Sequence, residues 1–382
     1  MSGNHQKKPI LHLHSSFDEG GKELRCVQLI NAFGPGVMHS IVSAKPGALA
    51  ARKLISSKIP VSYPTKFPSL TGWPTPGRLR RIAEAMKGFG LVLTYNWGAM
   101  DAVMAHTLFS ETLGLPPLIH HEDGFNEDEA RRLKRRRNWY RKIAFGKTAA
   151  VVVPSKGLEE IALNVWDQPR TRIHRIPNGI DTSAIVEEPR ADVLPRLIKH
   201  EGEFWVGTLA GLRAVKNLPA LVRAFESLPR TWQLVILGEG PERATIEAEV
   251  ERLGIDHRVH LPGFVERPEQ VIGLFDIFAL SSKSEQFPIS VAEAMTAGLP
   301  VAAPAVGDVA MMVSEPNAPF IVTPGDESAL AQALQELADD PQERARIGDA
   351  NRQKALAKFD QDRMIARYRT LYASAMGRKS LL

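Results

Sequence analysis

A single cysteine, Cys26, stands in a chain of 382 residues, so no internal disulfide is possible and a reducing compartment fits. The chain has no apolar run near the roughly 20 residues that a membrane-spanning helix needs. Its first residues, MSGNHQKKPILHLHSS, lack the apolar core of a secretion signal. These absences point to a cytoplasmic protein. No Walker A pattern and no G-x-S-x-G elbow occurs. No G-x-G-x-x-G follows the first apolar strand pattern, which counts against a nicotinamide or flavin enzyme. Short tandem repeats and low-complexity segments are missing too. The net charge of +5 is modest for this length and does not argue for a nucleic-acid partner.

What is present is a regular alternation of short apolar strands with longer helical patterns, the mark of βαβ units and parallel sheets. The first series has strands at Ile10–His14, Met38–Val42, Leu91–Tyr95, Leu118–His121 and Ala149–Val153, with helices at 22–32, 78–86, 100–112 and 127–145. Cys26 falls in the first of these helices as a buried residue. The polar stretch VEEPRADVLPRLIKHEGE follows, and then a second series runs from Phe204 to Phe359, including a helix over Pro268–Leu274. The expectation is an α/β protein of two doubly wound domains, 1–185 and 186–360. In a last helix, near 361–376, Met364, Ile365, Tyr368, Leu371 and Tyr372 share a face.

The most informative segment is SEQFPISVAEAMTAGLPVAAP, where Glu285 and Glu293 are separated by seven residues and straddle the entry to a helix. A loop between a strand and its helix lies at the carboxyl edge of a parallel sheet, where open α/β folds bind ligands. Two carboxylates there can accept hydrogen bonds from one polyhydroxyl ligand. The loop GLRAVKN opens the second series: Gly211 permits close approach, and Arg213 and Lys216 can face one diphosphate or stand in solvent as two idle cations. LGEGPE and PGFV follow the next two strands. Gly20-Gly21 precedes the first helix, as a phosphate-side turn or an ordinary one. Ser155 of VVVPSKGLEE is a candidate helix cap.

His120, His121, Glu122 and Asp123 follow one another at the end of a first-domain strand. No partner group with metal-ligand spacing accompanies them, so a catalytic or sugar-binding role is expected there in preference to a metal, with capping and burial as the structural alternative. RRLKRRRNWYRK, Arg131 to Lys142, holds eight cations among twelve residues. It reads either as a solvated helix face or as a surface for anionic lipid or another polyanion, with Arg135, Arg136, Arg137, Trp139 and Tyr140 at the interface.

In chain order, GGKE, VVVPSKGLEE, IPNGIDT, GLRAVKN, LGEGPE, PGFV and SEQFPISVAEAMTAGLPV resemble the retaining glycosyltransferases of family 4. The Glu285–Glu293 segment matches their EX7E motif, and the resemblance covers nearly the whole chain. It implies the GT-B fold, two Rossmann-like parallel-sheet domains facing a cleft, with the final helix, 361–382, returning to the first. It implies that Glu293 holds the ribose, that Glu285 acts at the transferred sugar, and that the backbone of Gln286, Phe287 and Pro288 lies beside that sugar. Arg213 and Lys216 then neutralise the diphosphate with Gly211, Gly20 and Gly21 close by, and Phe264 and Val265 hold the base. The family is generally metal-independent and the first domain has no D-x-D, so neither metal nor cofactor is expected beyond the nucleotide sugar itself.

Two departures stand out. Gln286 replaces the glycine often found after the first glutamate. Asp123 falls where many members have a histidine, just after His120 and His121, so any of the three can act at the sugar. The function expected is transfer from a UDP- or GDP-sugar to a glycan, lipid-linked or lipid acceptor, in cell-envelope polysaccharide or glycolipid synthesis, at the inner face of the membrane. The alternatives are a catalytically silent sugar-nucleotide-binding partner, a sugar-nucleotide epimerase or, more distantly, a phosphorylase or a redox enzyme.

Overall fold

The structure, a computed structural model, describes residues 8–18, 20–125, 129, 133–194 and 197–381. The chain divides into two compact units, Met1–Pro177 with Met364–Leu382, and Asn178–Arg363.

The first unit is built on a seven-stranded parallel sheet in the order β3-β2-β1-β4-β5-β6-β7. Its strands are β1 Ile10–His14, β2 His39–Ser43, β3 Val61–Ser62, β4 Leu91–Tyr95, β5 Leu118–His121, β6 Ala150–Val153 and β7 Ile173–Arg175. Helices α1 Gly21–Phe33, α2 Pro76–Met86, α3 Met100–Leu113, α4 Arg135–Ala144 and α5 Lys156–Asn164 alternate with them. Side chains along a strand alternate between faces, so β1 feeds two cores. Ile10 packs with Cys26, Ile30 and Phe33 of α1, while Leu11 and Leu13 pack with α2, α3 and α5. The last helix, α12 Gln361–Ala375, buries Met364, Ile365, Tyr368 and Tyr372 in the α1-side core.

The second unit holds a six-stranded parallel sheet in the order β10-β9-β8-β11-β12-β13. Its strands are β8 Phe204–Leu209, β9 Trp232–Leu237, β10 Val259–Gly263, β11 Ile277–Ala279, β12 Val301–Pro304 and β13 Ile321–Val322. Its helices are α6 Leu218–Glu226, α7 Arg243–Leu253, α8 Ile289–Thr296, α9 Val309–Met312, α10 Glu327–Asp339 and α11 Pro341–Lys358. In each sheet the strand order reverses once, between β1 and β4 and between β8 and β11. The loops after those strands diverge there and leave a crevice.

Three local differences from the sequence reading have simple causes. Pro268–Leu274 forms two short 3-10 turns, 268–270 and 272–274, in place of one helix. The backbone of Val186 and Glu187 lies so close to Gly273 that a Cβ there would be 2.4 Å from their carbonyl oxygens. Strands β3 and β7, of two and three residues, are too short to show a period. The basic helix is described from Arg135 onward, and the expected start near Glu127, with Arg131 and Arg132, lies outside the described residues. Ser155 does cap α5, its hydroxyl accepting from the Leu158 N–H at 3.1 Å.

Candidate active site

At the carboxyl edge of the second sheet, neighbouring loops are joined by main-chain hydrogen bonds. Leu212 N–H donates to Glu239 O at 2.9 Å, Glu242 N–H to Leu212 O at 3.0 Å, and Gly238 N–H to Gly263 O at 2.9 Å. Gly238 has φ +144°, and a Cβ on it would lie 1.9 Å from the Ala210 carbonyl oxygen, so only glycine allows the β8 and β9 loops to meet. Across the strand-order reversal, Lys283 N–H donates to Val215 O at 2.8 Å and the Ser281 hydroxyl to Lys216 O at 2.9 Å.

These bonds bring together side chains that are 69 positions apart in sequence. The Lys216 ammonium stands 2.5 Å from Glu285 Oε1, which also accepts from the Ser282 hydroxyl at 2.7 Å. Arg213 precedes Lys216 and is exposed. Gly307 presses on the Glu285 loop from the β12 side: at φ +57°, its missing Cβ would be 2.5 Å from the Glu285 carbonyl oxygen. Asp308 N–H donates to Gln286 O at 2.9 Å. Gly307 is a contributor that its lone position in the sequence did not reveal.

Glu293 is half-buried on α8, after Pro288 at its N-cap. Burial pushes its carboxyl up to about 7, and the negative charge of Glu269 adds to the shift. Phe287 is turned into the core, edge-on to Phe359 at 5.3 Å, so its backbone alone can face a ligand. Phe264 is 71% exposed at the end of β10, while Val265 packs against the core.

The corresponding edge of the first unit is held by side chains. Asn96 N–H donates to His121 O at 2.8 Å, and Asn96 Oδ1 accepts from Asp123 N–H at 2.8 Å. Arg25 grips Asp123 with two nitrogens, one of them Nη2 at 2.9 Å from Oδ2. His120 is fully buried, its Nδ1 2.9 Å from the Thr94 hydroxyl. His121 is also buried, and its Nδ1 lies 3.2 Å from Thr94 O, which can only accept. The His121 proton therefore sits on Nδ1, and Nε2 accepts from the Tyr372 hydroxyl at 2.8 Å. Burial holds the His121 ring well below its ordinary pKa, with the Arg25 charge acting the same way.

The structure thus corrects the first-domain cluster: both histidines lie within β5, flanked by β4 and β6, and neither offers an atom to a sugar. Of the three residues, Asp123 alone keeps some exposure, and it is paired. Gly20 is the N-cap of α1 and Gly21 its first residue. The buried Glu23 carboxyl folds back over Gly20, where a Cβ would be 2.8 Å from Glu23 Oε2.

The basic helix divides between two sides. Arg141 is buried, donating to Glu122 Oε2 at 3.2 Å and Glu129 Oε1 at 3.4 Å, with Trp97, Phe125 and Trp166 rings around its guanidinium. Arg137 pairs with Glu129 at 2.9 Å, and the Tyr140 hydroxyl donates to Asp101 at 2.7 Å. Burial raises the Tyr140 pKa, as does that bond. Arg137 and Tyr140 are therefore not part of an outward surface, contrary to expectation. Arg135, Arg136 and Trp139 are exposed, Trp139 at 70%. Among the described residues no helix is long and apolar enough to cross a membrane.

Comparison with known proteins bears on the class first. Anabaena HepE in complex with UDP matches at a TM-score of 0.80 and 22% identity, over 96% of this chain and 100% of that one. Sucrose-phosphate synthase from Thermosynechococcus elongatus matches at 0.77 and 21%, over 97% and 100%. With two Rossmann-like parallel-sheet units, the chain has the GT-B fold.

Residues 192–354 match the family model for glycosyl transferases group 1, and residues 22–184 match that for Glycosyltransferase Family 4. The chain belongs to glycosyltransferase family 4. It is 26% identical over 208 residues to the N-acetyl-alpha-D-glucosaminyl L-malate synthase of Bacillus anthracis, covering 54% of each chain. It is 29% identical over 242 residues to the D-inositol 3-phosphate glycosyltransferase of Xylanimonas cellulosilytica, over 60% of this chain and 58% of that one. These matches span little more than half the length of either relative.

Proposed function

We propose that the chain is a retaining hexosyltransferase that moves a sugar from a UDP- or GDP-sugar to a glycan, lipid-linked or lipid acceptor in cell-envelope polysaccharide or glycolipid synthesis. The observation that carries this reading is the Lys216–Glu285 pair across the strand-order reversal of the second sheet. Solved structures of the same fold are complexes with UDP and with UDP-glucose, which supports a nucleotide-sugar donor.

In this reading the bond from the sugar's anomeric carbon to the diphosphate breaks, leaving positive charge on the sugar and negative charge on the departing phosphate. Lys216 and the exposed Arg213 offset the second charge from fixed positions, and the Gly211 backbone comes close to it. Donor binding draws Lys216 partly away from Glu285, whose carboxylate is then free to accept from sugar hydroxyls and to face the cationic centre. Glu293 accepts from the ribose hydroxyls, Phe264 stacks on the base, and the backbone of Gln286 and Pro288 borders the sugar. Cations of the chain itself serve the leaving group, so neither metal nor cofactor enters the step, and transfer should persist in EDTA.

The decisive experiment is calorimetric titration of UDP-, GDP- and ADP-sugars into the wild type and Glu293→Ala. A charged hydrogen bond contributes about 1.5–3 kcal/mol, so the folded variant should bind its donor at least tenfold more weakly. Equal affinity in both would remove the ribose assignment.

The outward face of α4 supports an acceptor held at a membrane surface. Arg135, Arg136, Trp139 and Ile143 are exposed, at the i, i+1, i+4 and i+8 spacing of one helix side. Vesicles rich in anionic lipid should bind the wild type at low salt. They should release it near 1 M, where the screening length is about 3 Å, and bind Trp139→Ala less. Indifference of the wild type to such vesicles at low salt would end this part of the reading.

A further inference from the structure

One cluster in the first unit has no part in the proposed transfer. His12 and His14 of β1 face the same side, because side chains two apart on a strand do so, and Cys26 of α1 comes down on them. All three are buried, and one donor atom from each lies within 4.8 Å of the other two. His12 Nδ1 is 3.4 Å from Cys26 Sγ. Zinc–nitrogen and zinc–sulfur bonds at a tetrahedral angle put the two ligand atoms about 3.6 Å apart.

The surroundings of His12 also suit a ligand. Its other nitrogen, Nε2, is 2.9 Å from His39 Nδ1, and ligating histidines are characteristically held in this way from behind. His14 is the independent sign. It is fully buried, yet neither ring nitrogen has a hydrogen-bond partner. The ring instead stacks face-on to Tyr95 at 4.0 Å. A buried imidazole with both nitrogens unserved is unfavourable, and a bound cation would serve one of them. The Tyr95 hydroxyl, 3.1 Å from His12 Nδ1 and 3.6 Å from Cys26 Sγ, adjoins the position of a fourth ligand.

We propose that His12, His14 and Cys26 bind one borderline-soft metal cation of the zinc class, a structural site that ties β1 to α1. Two neutral imidazoles and one thiolate suit zinc or copper(I) over magnesium or calcium. As the sulfur–metal bond forms, the Cys26 thiol proton leaves for solvent, and nothing is oxidised or reduced. Because the cluster is buried, the cation enters while the unit folds. The site lies outside the proposed leaving-group chemistry, which uses Arg213 and Lys216.

The test is metal analysis of the full-length chain purified from zinc-supplemented cells, beside Cys26→Ser and His14→Gln. About one zinc per wild-type chain and far less in both variants is the expected result. Refolding with cobalt(II) in place of zinc should give a thiolate-to-cobalt charge-transfer band in the near ultraviolet, absent from Cys26→Ser. Should the variants not fold, the cobalt band of the wild type alone decides. A wild type that holds no zinc, copper(I) or cobalt(II) after refolding with each in excess overturns the proposal. So does metal content unchanged in both folded variants.

Discussion

The edge of the second sheet is joined backbone to backbone, with its charged groups left near the surface, whereas the edge of the first sheet is joined by buried side chains. At the second edge, Gly238 and Gly307 let loops meet at main-chain distance, and Lys216, Glu285 and Arg213 stand above that platform. At the first edge, His14, Tyr95 and His121 stack in sequence across β1, β4 and β5, at 4.0 and 4.7 Å, and Arg25 locks Asp123 beside them. The difference shows two ways of making a rigid loop edge. One constrains which positions must be glycine and leaves the side chains free for a ligand. The other uses up the side chains themselves in packing, so His120 and His121, which look available for chemistry, are buried inside the sheet.

The largest effect should come from a methyl group at the backbone-joined edge. In Gly238→Ala the new Cβ meets the Ala210 carbonyl oxygen at φ +144°. Strain and overpacking together should cost about 3–5 kcal/mol in urea unfolding. Gly211→Ala, whose nearest neighbour is 3.7 Å away, should stay within about 0.5 kcal/mol while weakening donor binding. Equal stabilities for the two variants would contradict the account of that edge.

A somewhat smaller loss belongs to the other edge. Arg25→Met strands the Asp123 carboxylate, and breaking a mostly buried pair should cost about 3 kcal/mol. Calorimetry should find donor affinity unchanged in the folded variant, because Arg213, Lys216, Glu285 and Glu293 all lie in the second unit. A parallel loss of affinity would mean that the two edges are not independent.

The smallest effect sharpens the donor side. Glu293 has a folded pKa of about 7, above its ordinary value of 4.5, so the folded state holds the proton more tightly. Its stabilising contribution is complete below pH 4.5 and is lost as pH rises through 7. Glu293→Gln should therefore melt about 2–4 °C above the wild type at pH 8, roughly 1 kcal/mol, and level with it near pH 4.5. A melting difference that ignores pH would show that the carboxyl is not desolvated.

Much of this was legible before any coordinates. The five long strands of the first unit and the second series from Phe204 were visible as short, mostly apolar runs, because strands covered on both faces are largely hydrophobic. The same rule could have warned against His120 and His121. They end a run in a strand with neighbours on both sides, so each faces one of the two cores. Tyr140 and Arg137 misled for another reason: a helix period says which residues share a side, but their partners Asp101 and Glu129 come from other segments. Phe287 sits next to a motif residue, yet its ring packs on Phe359, 72 positions away.

The amino-acid sequence by itself determined the alternation of strands and helices, the two sheets, and the loop positions of Glu285, Glu293, Arg213 and Lys216, since period and turn chemistry are local properties. Tertiary structure alone decided which of those charges touch, which histidines are buried, and that His12, His14 and Cys26 meet. Those outcomes depend on strand order and on the packing of a helix against a sheet, which bring together residues that no local pattern relates.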